Sequence, residues 1–282
     1  MTAGISPIDL YWLDRPGAIS SWVVPTQQGP VLIDPGPSST LPALQQGLAD
    51  LGWSLQELAG VLLTHIHLDH AAAAGDLAAL KIPVYVHPVG QRHLVDPSRL
   101  MTSAHKIYGD QLPHLFGTMR PVPANLLHVL DLSGTFTIGD VTFRAHETLG
   151  HAKHHVVYEF QHDDTRYLAT GDAAGGFVTE APNFAPAQLP PPDLDLMAWC
   201  HSIDVMDHLE ADQLLVAHFG ACANPKAHLH RLRESLQRQY HCICEAADPF
   251  QDYRCMLETE ASEAGVHDPD CMHLRPAAVE MN

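Results

Sequence analysis

Between the apolar run Val61-Leu62-Leu63 and the small residues Ala71 to Ala74 lies the stretch Thr64-His65-Ile66-His67-Leu68-Asp69-His70. It packs four cation-binding side chains into six positions, from His65 to His70, where an apolar strand gives way to an Ala-rich helix. Side chains alternate along an extended stretch, so His65 and His67 point to the same side and reach one ion. Asp69 and His70 fall in the first turn of the next helix, face another direction and can serve a second ion a few ångströms away. The spacing predicts a two-metal geometry at a strand-to-helix junction.

Strand-like runs recur along the chain: Ala18 to Val24, Val31 to Ile33, Val61 to Leu63, Val84 to Val86, Phe136 to Phe143, His155 to Phe160, Arg166 to Ala169 and Leu214 to Ala217. Helical spacing predicts helices over Leu41 to Leu51, Asp69 to Leu80, Pro192 to Leu209 and Pro225 to Tyr240. Alternating strands and helices around a hairpin block suggest a layered α/β or α+β architecture, and 46% hydrophobic composition is enough for a real core. The first domain is expected over 1–240, with insertions at about 91–125 and at the proline-rich Phe177 to Pro192. The extension 241–282 carries nine acidic residues against Arg254 and Arg275. It reads first as a solvated surface helix or frayed terminus, and otherwise as a homodimer contact or a lid.

The His-x-His-x-Asp-His stretch closely resembles the central signature of the metallo-β-lactamase superfamily. Its further motifs are matched in order by Leu149-Gly150-His151, by Tyr167-Leu168-Ala169-Thr170-Gly171-Asp172 and by Leu214-Leu215-Val216-Ala217-His218-Phe219-Gly220. The resemblance implies an α+β fold, the four-layer αββα sandwich, with a helical C-terminal extension. It also implies that His65, His67 and His151 hold one metal, that Asp69, His70 and His218 hold the other, and that Asp172 bridges them. The cofactors expected are two divalent ions, zinc first, with iron or manganese as alternatives. A cation pair lowers the pKa of a shared water and yields a bridging hydroxide that attacks an ester, thioester or lactone of a small molecule. Asp69 is the expected catalytic proton shuttle.

Departures from individual branches narrow the reading. Flavodiiron proteins carry Glu where His67 stands, and true β-lactamases lack the aspartate that Asp172 represents. With 15 basic against 33 acidic residues the net charge is −18, which disfavours the processing ribonucleases, nucleic acid in general and anionic membranes. Glyoxalase II-like thioesterases have Gly-His-Thr-x-Gly-His where this chain has Gly150-His151-Ala152-Lys153-His154-His155. Quorum-quenching lactonases place a tyrosine soon after the bridging aspartate, and here Phe177 follows instead, with Tyr108 in the insertion as a substitute. Persulfide dioxygenases, with one iron, are the alternative enzyme class, although their Gly-Cys-Gly-Arg-like stretch is missing. A metal-binding module without turnover is the alternative outside enzymes.

His105, Tyr108, Phe116 and Met119 are candidate cavity residues from the insertion, as is Phe177. His155 is expected to hydrogen-bond a ligand carboxylate, whereas His154 is expected to alternate to the other side. His228, His230, His267 and His273 read as surface residues, and Cys242-x-Cys244 is too closely spaced for an ordinary zinc pair. The N-terminal segment lacks a basic region followed by an apolar one, so a cytoplasmic location is expected.

Overall fold

The computed structural model describes the backbone of residues 4–178, 181, 183–189, 193–245 and 249–266, and the side chains of these except within 243–254. The first sheet has six strands in the order β1 (Ser6–Asp9), β2 (Ser20–Val24), β3 (Val31–Ile33), β4 (Gly60–Leu62), β5 (Val84–Val86) and β6 (Leu127–Val129). Its first two pairings are antiparallel and the other three parallel. Three-residue runs such as Val31-Leu32-Ile33 are buried on both faces, as central parallel strands require. The second sheet runs from β7 (Thr135–Ile138) through β8 (Val141–Glu147), β9 (Val156–His162), β10 (Thr165–Gly176) and β11 (Gln213–His218) to β12 (Gly220–Cys222). Only β10 and β11 pair in parallel there.

Helices cover both outer faces. α1 (Leu41–Asp50), α2 (Leu68–Ala71), α3 (Ala74–Ala79), α4 (Gln91–Val95), α5 (Ser98–Tyr108) and α6 (Leu112–Phe116) belong to the side of the first sheet. α7 (Leu196–His208), α8 (Pro225–Glu245) and α9 (Pro249–Glu263) cover the second. Between the sheets, Trp22, Ile33 and Leu62 pack against Phe143, Tyr158 and Leu215. The Trp22 Nε1–H donates to Val216 O at 3.2 Å and the Tyr158 hydroxyl to Leu63 O at 2.8 Å, tying one sheet to the other. The architecture is the expected four-layer αββα sandwich, and its C-terminal segment is helical.

Local departures from the sequence reading have identifiable causes. Phe136 to Phe143 is not one strand but the hairpin β7–β8, turned at Gly139, whose φ is +62°. Asp69 to Leu80 is broken into α2 and α3 because the Ala73 N–H leaves the helical ladder to donate to Gly36 O at 3.0 Å. The short strands β1, β6 and β12 have no strong apolar signature. The described part of Phe177 to Pro192 is packed, with Phe184, Ala185, Ala187 and Leu189 buried. No helix among the described residues is long and apolar enough to cross a membrane. His267, His273 and the side chain of Cys244 lie outside the described residues.

His228 corrects the surface reading. It lies on the inward face of α8 with Leu232, Ser235 and Gln239, and is 1% exposed, whereas His230 faces solvent. Its Nε2–H donates to Ala174 O at 2.8 Å and its ring meets Phe177 edge-on. Burial pushes its pKa down to about 4, against the opposing pull of that hydrogen bond. The unfolded chain therefore takes up a proton near the ordinary histidine pKa while the folded chain refuses it until about 4. Stability from this residue is complete above ~6.5 and declines by about 3 kcal/mol as the pH falls to about 4. Chemical denaturation of His228→Phe should show a shallower loss of stability between those pH values, whatever the variant's absolute stability. An unchanged slope would contradict the assignment.

Candidate metal centre

Segments following β3, β4 and β8 and the end of β11 converge with a kink in β10 at one edge of the sandwich. Asp34, at the end of β3, adopts a left-handed φ of +53°, which aspartate tolerates better than most residues. Its Oδ1 accepts from the Thr64 N–H at 2.8 Å, and its Oδ2 accepts from the Thr64 hydroxyl at 2.7 Å and from His70 Nδ1 at 3.0 Å. A proton on His70 Nδ1 leaves the lone pair on Nε2 facing the centre. The same device recurs twice: His151 Nδ1–H donates to Gln188 O and His218 Nδ1–H to Ala18 O, each at 2.9 Å.

Asp172 reaches the centre because β10 shifts register against β11 on both sides of Gly171. Gly171 has a φ of +48°, and a Cβ there would come within 2.4 Å of Thr64 Oγ1 and 2.9 Å of His155 Nε2. Only glycine permits this approach. Asp172 Oδ2 lies 3.2 Å from His151 Nε2, while Oδ1 lies 3.1 Å from His70 Nε2 and 3.3 Å from His218 Nε2. One oxygen thus addresses each group of histidines. His65, His67, His151 and Asp172 each offer a donor atom within 4.8 Å of the others, and Asp69, His70 and His218 do the same.

Two observations support a fit to metal ions. Buried His65 Nε2 and Asp172 Oδ1 have no partner of hydrogen-bond geometry, although the latter lies close to two rings. The facing ring nitrogens of His67 and His151, and of His70 and His218, approach to 2.9 and 3.3 Å, distances that demand a proton or a cation between lone pairs. Imidazole and carboxylate donors suit zinc, iron or manganese.

Electrostatics point the same way. Burial holds His65 and His155 well below the ordinary histidine pKa, with neighbouring histidines adding to it. Burial and His151 bring His67 down to about 4. Burial opposes protonation of His70 and His218 as well, but there the aspartates prevail, led by Asp172, and lift His70 well above its usual value and His218 to about 10. Burial raises Asp69 and Asp172, yet His70 and His218 together, joined at Asp172 by His151, outweigh it and hold both below the usual carboxylate range. The carboxylates are therefore ionised and require positive charge beside them, from protons or from metal ions.

The seven residues singled out from the sequence are thus all brought together, but the surrounding residues are placed less predictably. His155 bonds the backbone N–H of Asp172 through Nε2 at 3.2 Å, not its carboxylate, and its Nδ1 faces the Thr148 hydroxyl at 2.9 Å. His154 does not turn away. It precedes β9, in a turn where strand alternation does not apply, and stacks beside His65 and edge-on to His67. Tyr108 and Phe116 line the cavity above the centre, in T-shaped contact with each other, whereas Met119 packs into the core. His105, on the outer face of α5, is exposed and away from the cavity. Phe177 turns its ring to His228 and the core of the second sheet, and does not line the cavity either. Sequence reasoning missed Asp34, for which the Asp34-Pro35-Gly36 turn after an apolar strand was the available signal.

The cavity itself measures about 460 Å³, and His67, Asp69, Asp172 and His218 contribute to its lining. That volume suits a small molecule.

The family described as the Metallo-beta-lactamase superfamily matches residues 14–218. A relative from Sulfurisphaera tokodaii, the metallo-beta-lactamase fold-containing protein ST1585, is 26% identical over 242 residues, covering 84% of this chain and 85% of its own. The crystal structure of that archaeal protein is similar with a TM-score of 0.66, covering 93% of this chain and 98% of its own at 22% identity. The metallo-beta-lactamase family protein TTHA1429 from Thermus thermophilus has a TM-score of 0.69 and 19% identity, covering 99% of this chain and 92% of its own.

The Asp34 network makes a measurable demand. In Asp34→Ala, His70 Nδ1 and Thr64 lose their shared acceptor, and zinc affinity should fall by roughly 10- to 100-fold in competition with a chromophoric chelator. Equal affinity in a variant of native circular dichroism would remove Asp34 from the construction of the centre.

Proposed function

Because the chain belongs to the metallo-beta-lactamase superfamily, we propose that it is a dinuclear metal-dependent hydrolase of an ester, thioester or lactone bond in a small molecule. The observation that carries this reading is the division of seven donors into two groups, with Asp172 presenting one oxygen to each. His65, His67 and His151 would hold one ion, Asp69, His70 and His218 the other, and Asp172 would be shared between them. Zinc is the first expectation, with iron or manganese as alternatives. When bound, such a pair would supply an acidified water and a Lewis acid for the attacked carbonyl.

The chain's own groups have distinct tasks. Asp69 is partly open to the cavity, with its side chain 26% exposed, and its Oδ2 lies 3.5 and 3.6 Å from His70 and His218 Nε2. Its ionised carboxylate at the cavity floor can take a proton and pass it to a leaving group. Tyr108 stands on the cavity wall with its hydroxyl pushed up to about 12 by burial and then by the negative charge of Asp69. It therefore remains a donor at neutral pH, able to hold a substrate oxygen. Trp12, Ile66 and Leu189 give the wall apolar surface that limits bulk water beside the reacting bond.

The deciding experiment is metal quantification on purified protein, combined with an ester, thioester, lactone and phosphodiester panel. Close to two equivalents of metal and hydrolysis lost by more than ~100-fold in Asp172→Ala are expected. Full activity of that variant, or well under two equivalents in active protein, would sink the dinuclear mechanism. One equivalent of iron with oxygen consumption on a persulfide would replace it by a dioxygenase. Metal without turnover of any panel member would leave a binding module. Independently, Tyr108→Phe should lower kcat/KM about tenfold with metal content unchanged, and an unaltered kcat/KM would remove its hydroxyl from substrate binding.

A further inference from the structure

The mouth of the cavity is more basic than the chain around it. Arg92 and Arg99, from α4 and the first turn of α5, line it together with Lys153. Lys153 is neutralised by Asp193 at 2.7 Å. Among the described residues, Arg92 has only His93 as a hydrogen-bond partner, through Nε at 3.1 Å. Neither arginine has a carboxylate partner among the described residues, in a chain where 33 acids outnumber 15 bases. The positive fields of both converge on His93, where burial first, then Arg92 and Arg99, lower the ring's basicity.

A polar path joins this mouth to the metal centre. His154 lines the cavity, is 8% exposed and lies edge-on to His67 at 5.6 Å. Its Nδ1 accepts from the Ile66 N–H at 3.4 Å, which leaves the proton on Nε2, and no described residue accepts from that nitrogen. The α5 residues Leu100, Ala104 and Ile107 add an apolar stretch of the lining at helical spacing. The cavity thus offers a centre for the scissile bond, an apolar flank and, at the entrance, two guanidiniums without a carboxylate partner among the described residues.

We propose that the substrate carries an oxyanion, a carboxylate or phosphate, at the end remote from the scissile bond, and that Arg92 and Arg99 receive it. The turnover part rests on the hydrolase reading of the preceding subsection, whereas the binding part does not. Guanidinium suits the task because its planar fork matches an oxyanion with two parallel hydrogen bonds. The apolar wall of α5 then fits the short chain between the two ends.

The test uses the metal-loaded protein and Arg92→Gln/Arg99→Gln, neither position being among the metal-donor residues. Isothermal titration with 6-mercaptohexanoate and the neutral 6-mercaptohexanol compares ligands that differ only at the remote end. The acid should bind the native protein about tenfold more tightly than the alcohol, with the preference lost in the double variant. Butyl phosphate against pentanoate then distinguishes the two oxyanions, the tighter of them identifying the class. In turnover, a succinyl thioester should be preferred over the butyryl thioester of the same neutral thiol through KM, and the variant should raise KM for the former alone. An equal preference in native and variant protein, or none in either, would overturn the proposal. Absence of hydrolysis with arginine-dependent binding intact would refute the hydrolase reading and leave the oxyanion site standing.

Discussion

A carboxylate removed from water must be paired, and two such carboxylates organise the edge at which the sheets meet. Asp34 comes from the first sheet and Asp172 from the second, both nearly fully buried. His70 lies between them, with Nδ1 3.0 Å from Asp34 and Nε2 3.1 Å from Asp172. One imidazole, hydrogen-bonded to Asp34 and facing Asp172, therefore stands between the two sheets at the functional end, while the Trp22 and Tyr158 hydrogen bonds tie them together elsewhere. The relative placement of the sheets is then a condition for satisfying buried charge, and not merely for packing apolar surface. This explains why the donor groups sit at the seam between the sheets, where each sheet supplies what the other lacks.

The part of this arrangement that local geometry governs was legible in the chain. Apolar runs such as Val31-Leu32-Ile33 read as strands, and they form the middle of the first sheet. His65 and His67 fall into one donor group and Asp69 and His70 into the other, as alternation followed by a helical turn requires. His151, Asp172 and His218 were recognisable through family resemblance alone, because no local rule connects residues that far apart. The break between α2 and α3 shows the limit of periodicity. Nothing in an Ala-rich stretch announces that the Ala73 N–H will be claimed by Gly36, or that Gly75 will lie against the Arg120 backbone.

The residues misread or missed share a physical reason. His154 lies in a turn, so its direction is set by the turn backbone and not by the alternation of the strand it precedes. His105 and Tyr108 are three positions apart on α5, yet one faces solvent and the other the cavity, since the packing of Phe116 decides which edge of the helix is covered. His228 was readable in principle: with Leu232, Ser235 and Gln239 it follows the helical repeat on the buried side of α8. Its type argued for the surface and its period for the interior, and the period prevailed because the Ala174 carbonyl satisfies its N–H.

The net charge of −18 and the basic cavity mouth act at different ranges. At physiological ionic strength, charges more than about 8 Å away are largely screened, so a small ligand at the entrance responds to Arg92, Arg99 and the centre below them. A polyanion would also bring its remaining charges against the net negative charge of the chain. The net charge therefore does not preclude the proposed reception of a single oxyanion at the mouth. Specificity of that kind needs both features, since a uniformly basic exterior would admit either ligand and a uniformly acidic mouth would admit neither.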